Sequence, residues 1–388
     1  MATIKLIDHD GKLASCAIKG ERCWASPTST AFNRVAFSAA HVVANPFAQH
    51  DPWLTAAIDW DATLRYRRHL FSLGLGVAEA MDTAQRGMGL DWLTSLELIR
   101  RSVEQAKDFP GALIASGVGT DQLQPSGKVR IDDVIAAYEE QVAAVEAAGG
   151  RIILMASRAL AAAATSPDDY LRVYGHILRQ VRQPVILHWL GDMFDPALSG
   201  YWGHKDLDAA MDVCVSLINE YARNIDGIKI SLLDKDKEIA MRRRLPSTVR
   251  MYTGDDFNYA ELIAGDTQGY SDALLGIFDA IAPAAASALQ SLANGDVDAF
   301  HATLAPTVPL SRHIFRAPTR FYKSGVVFMA WLNGHQDHFA MVGGQQSARS
   351  LAHYCELFRL ADDAGLFDDV ELATRRMRQY MAIHGVEA

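Results

Sequence analysis

Along most of the chain, short runs of apolar residues alternate with longer segments in which apolar residues recur every three or four positions. The short runs are typical of buried β-strands, and the longer period is typical of amphipathic α-helices. Eight strand candidates follow one another at residues 34–41, 73–79, 111–116, 151–155, 184–188, 226–231, 247–252 and 269–273. Eight strands alternating with helices over about 250 residues predict an α/β fold of the (β/α)8 TIM barrel type, since parallel strands need crossover helices.

A doubly wound open sheet is the alternative arrangement of the same elements. Such a sheet normally has a glycine-rich phosphate turn after an early strand. The two Gly-x-Gly pairs of this chain, at 74–76 and 117–119, lack the third glycine of that turn. The barrel is therefore the favoured prediction.

The two ends of the chain follow other patterns. Residues 3–7 and 13–18 are short β-prone runs on either side of Asp10-Gly11, which predicts a β-hairpin. Beyond residue 282 the pattern is helical only. We therefore expect an N-terminal β-hairpin extension over residues 1–30, the TIM barrel over 31–304 and an extended C-terminal helical region over 305–388.

Polar side chains gather where the predicted strands end. In a TIM barrel the carboxyl ends of the strands meet at one mouth, and this is where catalytic residues lie. The strand ends and the positions just beyond them supply the candidates His41, Glu79, Asp82, Ser116, Arg158, His188, Lys229, Asp255 and Asp256.

Lys229 stands out because it is the only one of ten lysines that falls inside a predicted barrel strand. Alternation along residues 226–231 directs Ile228 and Ile230 towards the helices and Lys229 towards the barrel interior. Burial of an ammonium group is costly and lowers the pKa of the amine, and a neutral amine can attack a carbonyl to form a Schiff base. A surface lysine on a misassigned strand is the alternative.

The motifs of the second half of the chain resemble those of the dihydrodipicolinate synthase and N-acetylneuraminate lyase superfamily. Residues 226–231 read Asp-Gly-Ile-Lys-Ile-Ser, residues 251–256 read Met-Tyr-Thr-Gly-Asp-Asp, and Ile-Ala-Pro at 281–283 precedes the C-terminal helices. Residues 184–188, Pro-Val-Ile-Leu-His, are similar to the family's fifth strand. The resemblance suggests a divergent branch of these class I, aldolase-like barrels. It implies that Lys229 forms a Schiff base with the substrate and that no cofactor is used.

Two motifs of that family are replaced in this chain. The family's carboxylate-binding Gly-Thr-Thr-Gly-Glu loop corresponds to Gly-Val-Ala-Glu-Ala-Met-Asp-Thr at residues 76–83, and its proton-relay tyrosine falls in Ala-Ser-Arg-Ala-Leu at 156–160. We therefore expect His188 to carry protons, because imidazole titrates near neutral pH. Arg158, with its forked donors, is the candidate for binding an anionic or polyhydroxylated substrate.

The sequence thus predicts a Schiff-base lyase or aldolase that acts on a small keto acid or keto-sugar derivative, with dehydration as a neighbouring outcome. Lys229 and His188 are the expected catalytic residues. The expected substrate-binding residues are Glu79, Asp82, Ser116, Arg158, Asp255, Asp256 and His41.

Two other functions stay open. In a metal-dependent sugar isomerase or epimerase on the same barrel, a divalent metal would be bound by His41, Glu79, Asp82 and His188. In a catalytically inactive homologue, the barrel would bind a small molecule without transforming it, because fold alone does not establish function.

Composition narrows the range of partners. The chain has 37 basic and 46 acidic side chains and a net charge of −9, which argues against a nucleic-acid partner. No apolar run reaches the roughly 18 residues of a membrane helix, and the first residues lack a signal-peptide core. We therefore expect a cytoplasmic enzyme with a small carbonyl substrate and, from the resemblance, a homo-dimer or homo-tetramer.

Overall fold

The structure is a computed structural model that describes residues 3–22 and 24–387. It begins with an antiparallel hairpin of strands β1 (Thr3–Ile7) and β2 (Leu13–Ala17). Eight parallel strands then form a closed barrel in the order β10-β3-β4-β5-β6-β7-β8-β9. They are β3 (Ala36–Ala39), β4 (Gly76–Glu79), β5 (Ile114–Val118), β6 (Arg151–Met155), β7 (Val185–Leu190), β8 (Ile225–Ser231), β9 (Arg250–Thr253) and β10 (Asp272–Leu275). The predicted hairpin and TIM barrel are confirmed.

Helices cover the outside of the barrel and continue beyond it. The crossover helices are α1 (Trp60–Ser72), α2 (Trp92–Ala106), α3 (Ile131–Ala147), α4 (Arg158–Ala163), α5 (Pro167–Leu178), α6 (Leu207–Glu220), α7 (Lys235–Arg242) and α8 (Tyr259–Ala264). After the last strand come α9 (Ile277–Ala280), α10 (Ala282–Ala293), α11 (Val297–Leu304), α12 (Thr307–Ile314), α13 (Tyr322–Leu332), α14 (Leu351–Asp363) and α15 (Val370–Ile383). The predicted C-terminal helices are therefore present. In the described part of the chain, no helix is long and apolar enough to cross a membrane.

The strand register brings two polar side chains to the barrel interior at one level. Ile186 pairs with Ile153, and both belong to the apolar cluster inside the barrel. Side chains alternate along a strand, so His188, two residues after Ile186, faces the interior as well. His188 pairs in turn with Lys229 of the next strand. His188 and Lys229 therefore lie side by side on β7 and β8, near the carboxyl ends of the strands.

The C-terminal helices pack on the barrel and on the N-terminal hairpin. Every residue of α13 is buried, and this helix contacts α9 and the short 3₁₀ turn Asp82–Ala84 that follows β4. The segment after the hairpin is held by α14, where the Asp362 carboxylate accepts hydrogen bonds from the backbone N–H groups of Lys19 at 2.8 Å and Gly20 at 3.0 Å. The segment that follows the hairpin is thus in contact with the C-terminal helical region.

Candidate active site

A cavity of about 230 Å³ lies at the mouth formed by the carboxyl ends of the strands. Its polar lining comes mainly from the loops that follow β4 to β7. The polar side chains are Asp82, Arg86, Thr120, Asp121, Gln124, Ser157, Arg158, His188 and Asp195. Three of the residues selected from the sequence, Asp82, Arg158 and His188, therefore share one cavity.

Lys229 is buried at the mouth without a direct partner. The residue is 7% exposed, and burial lowers the pKa of its amine, although the charges of Asp256 and Asp82 act in the opposite direction. Among the described residues, none forms an ion pair or a hydrogen bond with its amine. Gly254 makes room for the side chain, since a Cβ at that position would lie 2.7 Å from Lys229 Cε. Burial therefore favours the neutral, nucleophilic form of this amine.

His188 borders the same space and is neutral. Its Nε2 lies 3.3 Å from the Ser231 hydroxyl, and its Nδ1 is buried without a partner. Burial and the neighbouring Lys229 charge lower the pKa of His188 well below its usual value near 6.5. The imidazole therefore has a ring nitrogen free for a proton or a substrate group.

Two carboxylates differ in how they are held near Lys229. Asp256 is buried and accepts a hydrogen bond from the backbone N–H of Ile277 at 2.8 Å, and burial raises its pKa to about 7. Asp82 is half-buried in the turn after β4 and lines the cavity. No described residue donates a hydrogen bond to its side chain. Asp82 is thus the carboxylate whose acceptors stay free.

The C-terminal region contributes two residues to this side of the mouth that the sequence patterns did not indicate. The Tyr322 hydroxyl lies 2.8 Å from Thr83 Oγ1, and its ring packs where a Cβ on Gly276 would be 3.2 Å away. Lys323 is 4% exposed, donates to the Arg320 carbonyl at 3.1 Å, and has its pKa lowered to about 8 by burial. A lysine at the start of an otherwise apolar helix was the signal available in the sequence.

Two arginines hold the loops of the mouth. Arg158 is the first residue of α4 and pairs with Asp195. Arg86, which was not selected from the sequence, pairs with Asp121 at 2.7 Å and donates to the Gly117 carbonyl at 2.6 Å. Because its other donors reach Ala80 and Gln141, the Arg86 guanidinium is fully used in joining the loops after β4 and β5.

Two of the selected strand-end residues are engaged elsewhere. The His41 Nδ1 lies 2.9 Å from both carboxylate oxygens of Asp279. Glu79 forms a two-point ion pair with Arg67 of α1, at 2.8 and 2.9 Å, and both side chains are fully buried. Neither residue lines the cavity, because each is bound by a partner from a neighbouring helix.

Ser116 and Asp255 also lie outside the cavity lining. Ser116 is paired in register with Ile152 and Glu79, which face the helices, so its hydroxyl is directed away from the barrel interior. The Asp255 carboxylate accepts backbone hydrogen bonds from Phe257 at 2.8 Å and Asn258 at 3.1 Å. It therefore stabilises the turn that leads into α8.

The four residues considered as metal ligands are not brought to one point. His41 and Glu79 are held in the pairs just described, whereas Asp82 and His188 line the cavity. Over residues 3–22 and 24–387, no three His, Cys, Asp or Glu side chains are arranged so that they could hold a metal ion.

Comparisons with known proteins agree with the fold. A family model described as "Protein of unknown function (DUF993)" matches residues 4–386. No curated protein matches the sequence. A putative dihydrodipicolinate synthetase from Pseudomonas aeruginosa is similar in structure, with a TM-score of 0.65 and 14% identity, over 86% of this chain and 100% of that chain. A second similar structure is a prophage protein of the dihydrodipicolinic acid synthase family from E. coli K12, solved in complex with pyruvate. Its TM-score is 0.65 and its identity 15%, over 87% of this chain and 100% of that chain. The predicted resemblance is thus confirmed at the level of the fold.

Proposed function

We propose that this chain, which belongs to the DUF993 family of proteins of unknown function, is a Schiff-base-forming lyase or aldolase acting on a small carbonyl substrate. The observation that carries the proposal is Lys229, a buried amine without a partner that lies beside His188 near the mouth cavity. The likeness to dihydrodipicolinate synthase structures, one of them solved in complex with pyruvate, supports the same chemistry.

Lys229 would act as the nucleophile. Its neutral amine attacks the substrate carbonyl, and loss of one water from the resulting adduct leaves a protonated imine. A base then removes the proton of the hydroxyl group on the β carbon, and the bond between the α and β carbons breaks. The β carbon leaves as a carbonyl compound, and the electron pair of the broken bond forms an enamine as the positive nitrogen becomes neutral. Protonation of the enamine and hydrolysis of the imine release the product and restore the amine. The lowered pKa of Lys229 favours this sequence, because it increases the fraction of amine that is neutral.

His188 would move the protons that these steps require. Its imidazole is neutral in the folded protein, and its unpartnered Nδ1 is available to accept a proton and return it. Asp256 is the second titrating group near the amine, since its pKa is raised to about 7. Asp82 and Arg158 line the cavity and would bind the rest of the substrate.

Borohydride trapping tests the proposal. The protein is mixed with keto acids and keto-sugars in turn, reduced, digested and examined by mass spectrometry. We expect a stable adduct on the peptide that contains Lys229 and none in Lys229→Met. The matched control is Lys235→Met, which removes an exposed lysine of α7 paired with Glu261 and should leave trapping unchanged.

Other outcomes would favour the other functions. Turnover that survives Lys229→Met and is lost in a chelator would indicate the metal-dependent isomerase or epimerase. A ligand that binds without turnover and never becomes attached would indicate the inactive homologue.

A further inference from the structure

The cations that line the cavity are already matched by carboxylates. Arg86 is paired with Asp121, and Arg158 with Asp195. A substrate carboxylate normally binds to a cation or to a group of free hydrogen-bond donors. In the lining of this cavity, each guanidinium therefore has its charge matched by a carboxylate, although only the Nε of Arg158 donates to Asp195 and its Nη groups remain available to other oxygen atoms.

The hydroxyl groups of the lining are also in use. Thr120 Oγ1 and Ser157 Oγ lie 2.6 Å apart, and Ser157 also accepts a hydrogen bond from the backbone N–H of Leu160 at 2.9 Å. They cannot serve as a pair of free donors for an anionic group. The cavity thus differs from a site built to receive a carboxylate.

Asp82 is a carboxylate of the cavity lining whose acceptors are unused by the described residues. A carboxylate has about four lone-pair sites and is an acceptor only. Within the described chain, the Asp82 oxygens receive no hydrogen bond. Such a group binds hydroxyl donors well and repels an anionic substrate.

Lys323 helps to explain why a free carboxylate is tolerated there. Asp82 lies within the electrostatic influence of two buried amines, Lys229 and Lys323, and its charge acts on both. Lys323 donates one hydrogen bond, to the Arg320 carbonyl, and its amine also lies over the Tyr322 ring, 4.6 Å from the ring centre. The positive charge of Lys323 thus partly offsets the negative charge of Asp82.

His188, on β7, offers a second free polar atom to the cavity. His188 is 2% exposed and lines the cavity, and its buried Nδ1 has no partner. A ring nitrogen can accept a hydrogen bond from a hydroxyl group or donate one to it, depending on its tautomer. A carboxylate and an imidazole of the cavity lining are therefore unused by the described residues, and both are suited to hydroxyl groups.

We propose that the substrate captured by Lys229 is a neutral, polyhydroxylated ketone or aldehyde, whose hydroxyl groups donate hydrogen bonds to Asp82. This inference rests on the proposed function and narrows its substrate class from keto acids to sugar-like carbonyl compounds. Asp82 is the residue that determines this specificity.

The test compares two four-carbon carbonyl compounds, erythrulose and 2-oxobutyrate. The first is neutral and has three hydroxyl groups, whereas the second carries a carboxylate. Rates of borohydride trapping on Lys229 are measured with each compound for the wild type and for Asp82→Asn. We expect the substitution to slow trapping of erythrulose about tenfold or more, because a charge-assisted hydrogen bond is lost. Trapping of 2-oxobutyrate should be unchanged or faster, because a repelling charge is removed.

Two further variants make the result specific to Asp82. Asp82→Glu keeps the carboxylate and should retain the preference for erythrulose. Asp192→Asn removes an exposed carboxylate from the loop after β7, outside the cavity lining, and should change neither rate. Circular dichroism establishes that each variant is folded.

The outcomes separate the two proposals. If Asp82→Asn slows both compounds equally, Asp82 acts on the amine and the inference on substrate class is wrong. The same conclusion follows if the variant leaves trapping of erythrulose unchanged. If no carbonyl compound is trapped on Lys229 in the wild type, the Schiff-base function itself fails.

Discussion

Two sides of the barrel mouth use buried polar residues in opposite ways. On the side of β3 and β4, His41 is held by Asp279 and Glu79 by Arg67. On the side of β7 and β8, neither Lys229 nor His188 has a charged partner within the described chain. The four residues lie at or near strand ends, so position in the strand does not separate them.

The difference lies in what the neighbouring helices supply. Arg67 of α1 reaches Glu79, and Asp279 of α9 reaches His41, so both groups are neutralised locally. Polar groups paired in this way specify the packing of helices on the barrel. Polar groups without partners retain a cost of burial, which is tolerated at sites that bind a ligand. The polar residues on the side of β3 and β4 therefore stabilise the fold, whereas those on the side of β7 and β8 are available to a ligand.

The largest expected change in the free energy of unfolding is on the side of β3 and β4, at the ion pair between Arg67 and Glu79. Glu79→Gln leaves the buried Arg67 guanidinium without its counter-charge and should lower the free energy of unfolding by about 3–5 kcal/mol. Urea denaturation measures this change. Glu97→Gln is the matched control, since the exposed Arg101–Glu97 pair of α2 contributes only about 0.5 kcal/mol or less. Equal effects of the two substitutions would contradict the structural role of Glu79.

Acid should weaken the same side of the mouth through His335. Its ring lies 4.9 Å from Tyr66 and 4.6 Å from His69, and burial lowers its pKa to about 3. The unfolded residue titrates near 6.5, so below that pH the unfolded chain binds a proton that the folded chain does not. The stability is complete above pH 6.5 and falls by about 1.4 kcal/mol per pH unit as pH decreases towards 3.

Denaturation in urea between pH 7 and 5 measures this dependence. His335→Phe keeps a ring in place and should reduce the slope by up to about 1.4 kcal/mol per pH unit. His9→Phe, at an exposed residue of the N-terminal hairpin, should leave the slope unchanged. A slope that is the same in all three proteins would show that His335 is not the source.

A smaller effect is expected where the C-terminal region meets the mouth. Tyr322→Phe removes the hydrogen bond to Thr83 and should cost about 1 kcal/mol, because the buried threonine hydroxyl loses its partner. Thermal or urea unfolding provides the measurement. Tyr270→Phe changes a half-exposed tyrosine beside Arg34 and should have little effect. No loss of stability in Tyr322→Phe would argue against this contact.

The smallest expected change in the free energy of unfolding is an increase, and it is expected at Lys229. Lys229→Met removes a buried, unpaired amine and should raise the free energy of unfolding by about 0.5–1 kcal/mol. The change should shrink as pH increases, because the lowered pKa means that the folded amine loses its charge before the unfolded one. A loss of stability as large as that of Glu79→Gln would show that Lys229 is a structural residue.

Most of the barrel could be predicted from hydrophobic periodicity alone. Parallel strands buried on both faces are nearly continuous apolar runs, and amphipathic helices separate them, so the order of elements is visible in the sequence. The ends of strands are less visible, because apolar residues continue into the turns. Strand β5, the third strand of the barrel, extends to Val118, beyond its predicted end at Ser116.

The direction in which a candidate residue faces follows from the alternation of side chains along its strand, not from where the strand ends. Ser116 and Glu79 share the helix-facing register, whereas Lys229 faces the interior, as alternation along its strand predicted. Tyr322 and Lys323 could not be assigned to the mouth, because only tertiary packing brings α13 across the strand ends.

Because the hairpin packs on the C-terminal helices, its tertiary contacts can form only late in synthesis. A ribosome makes β1 before the barrel strands. In the folded protein Ile4 and Leu6 of β1 are buried, but α14 can pack on this strand only after α14 has been made. The helix that carries Tyr322 and Lys323 is also made after every barrel strand. A nascent barrel would thus lack the helix that packs on the turn Asp82–Ala84, and this part of the mouth would be completed only after α13 has been made.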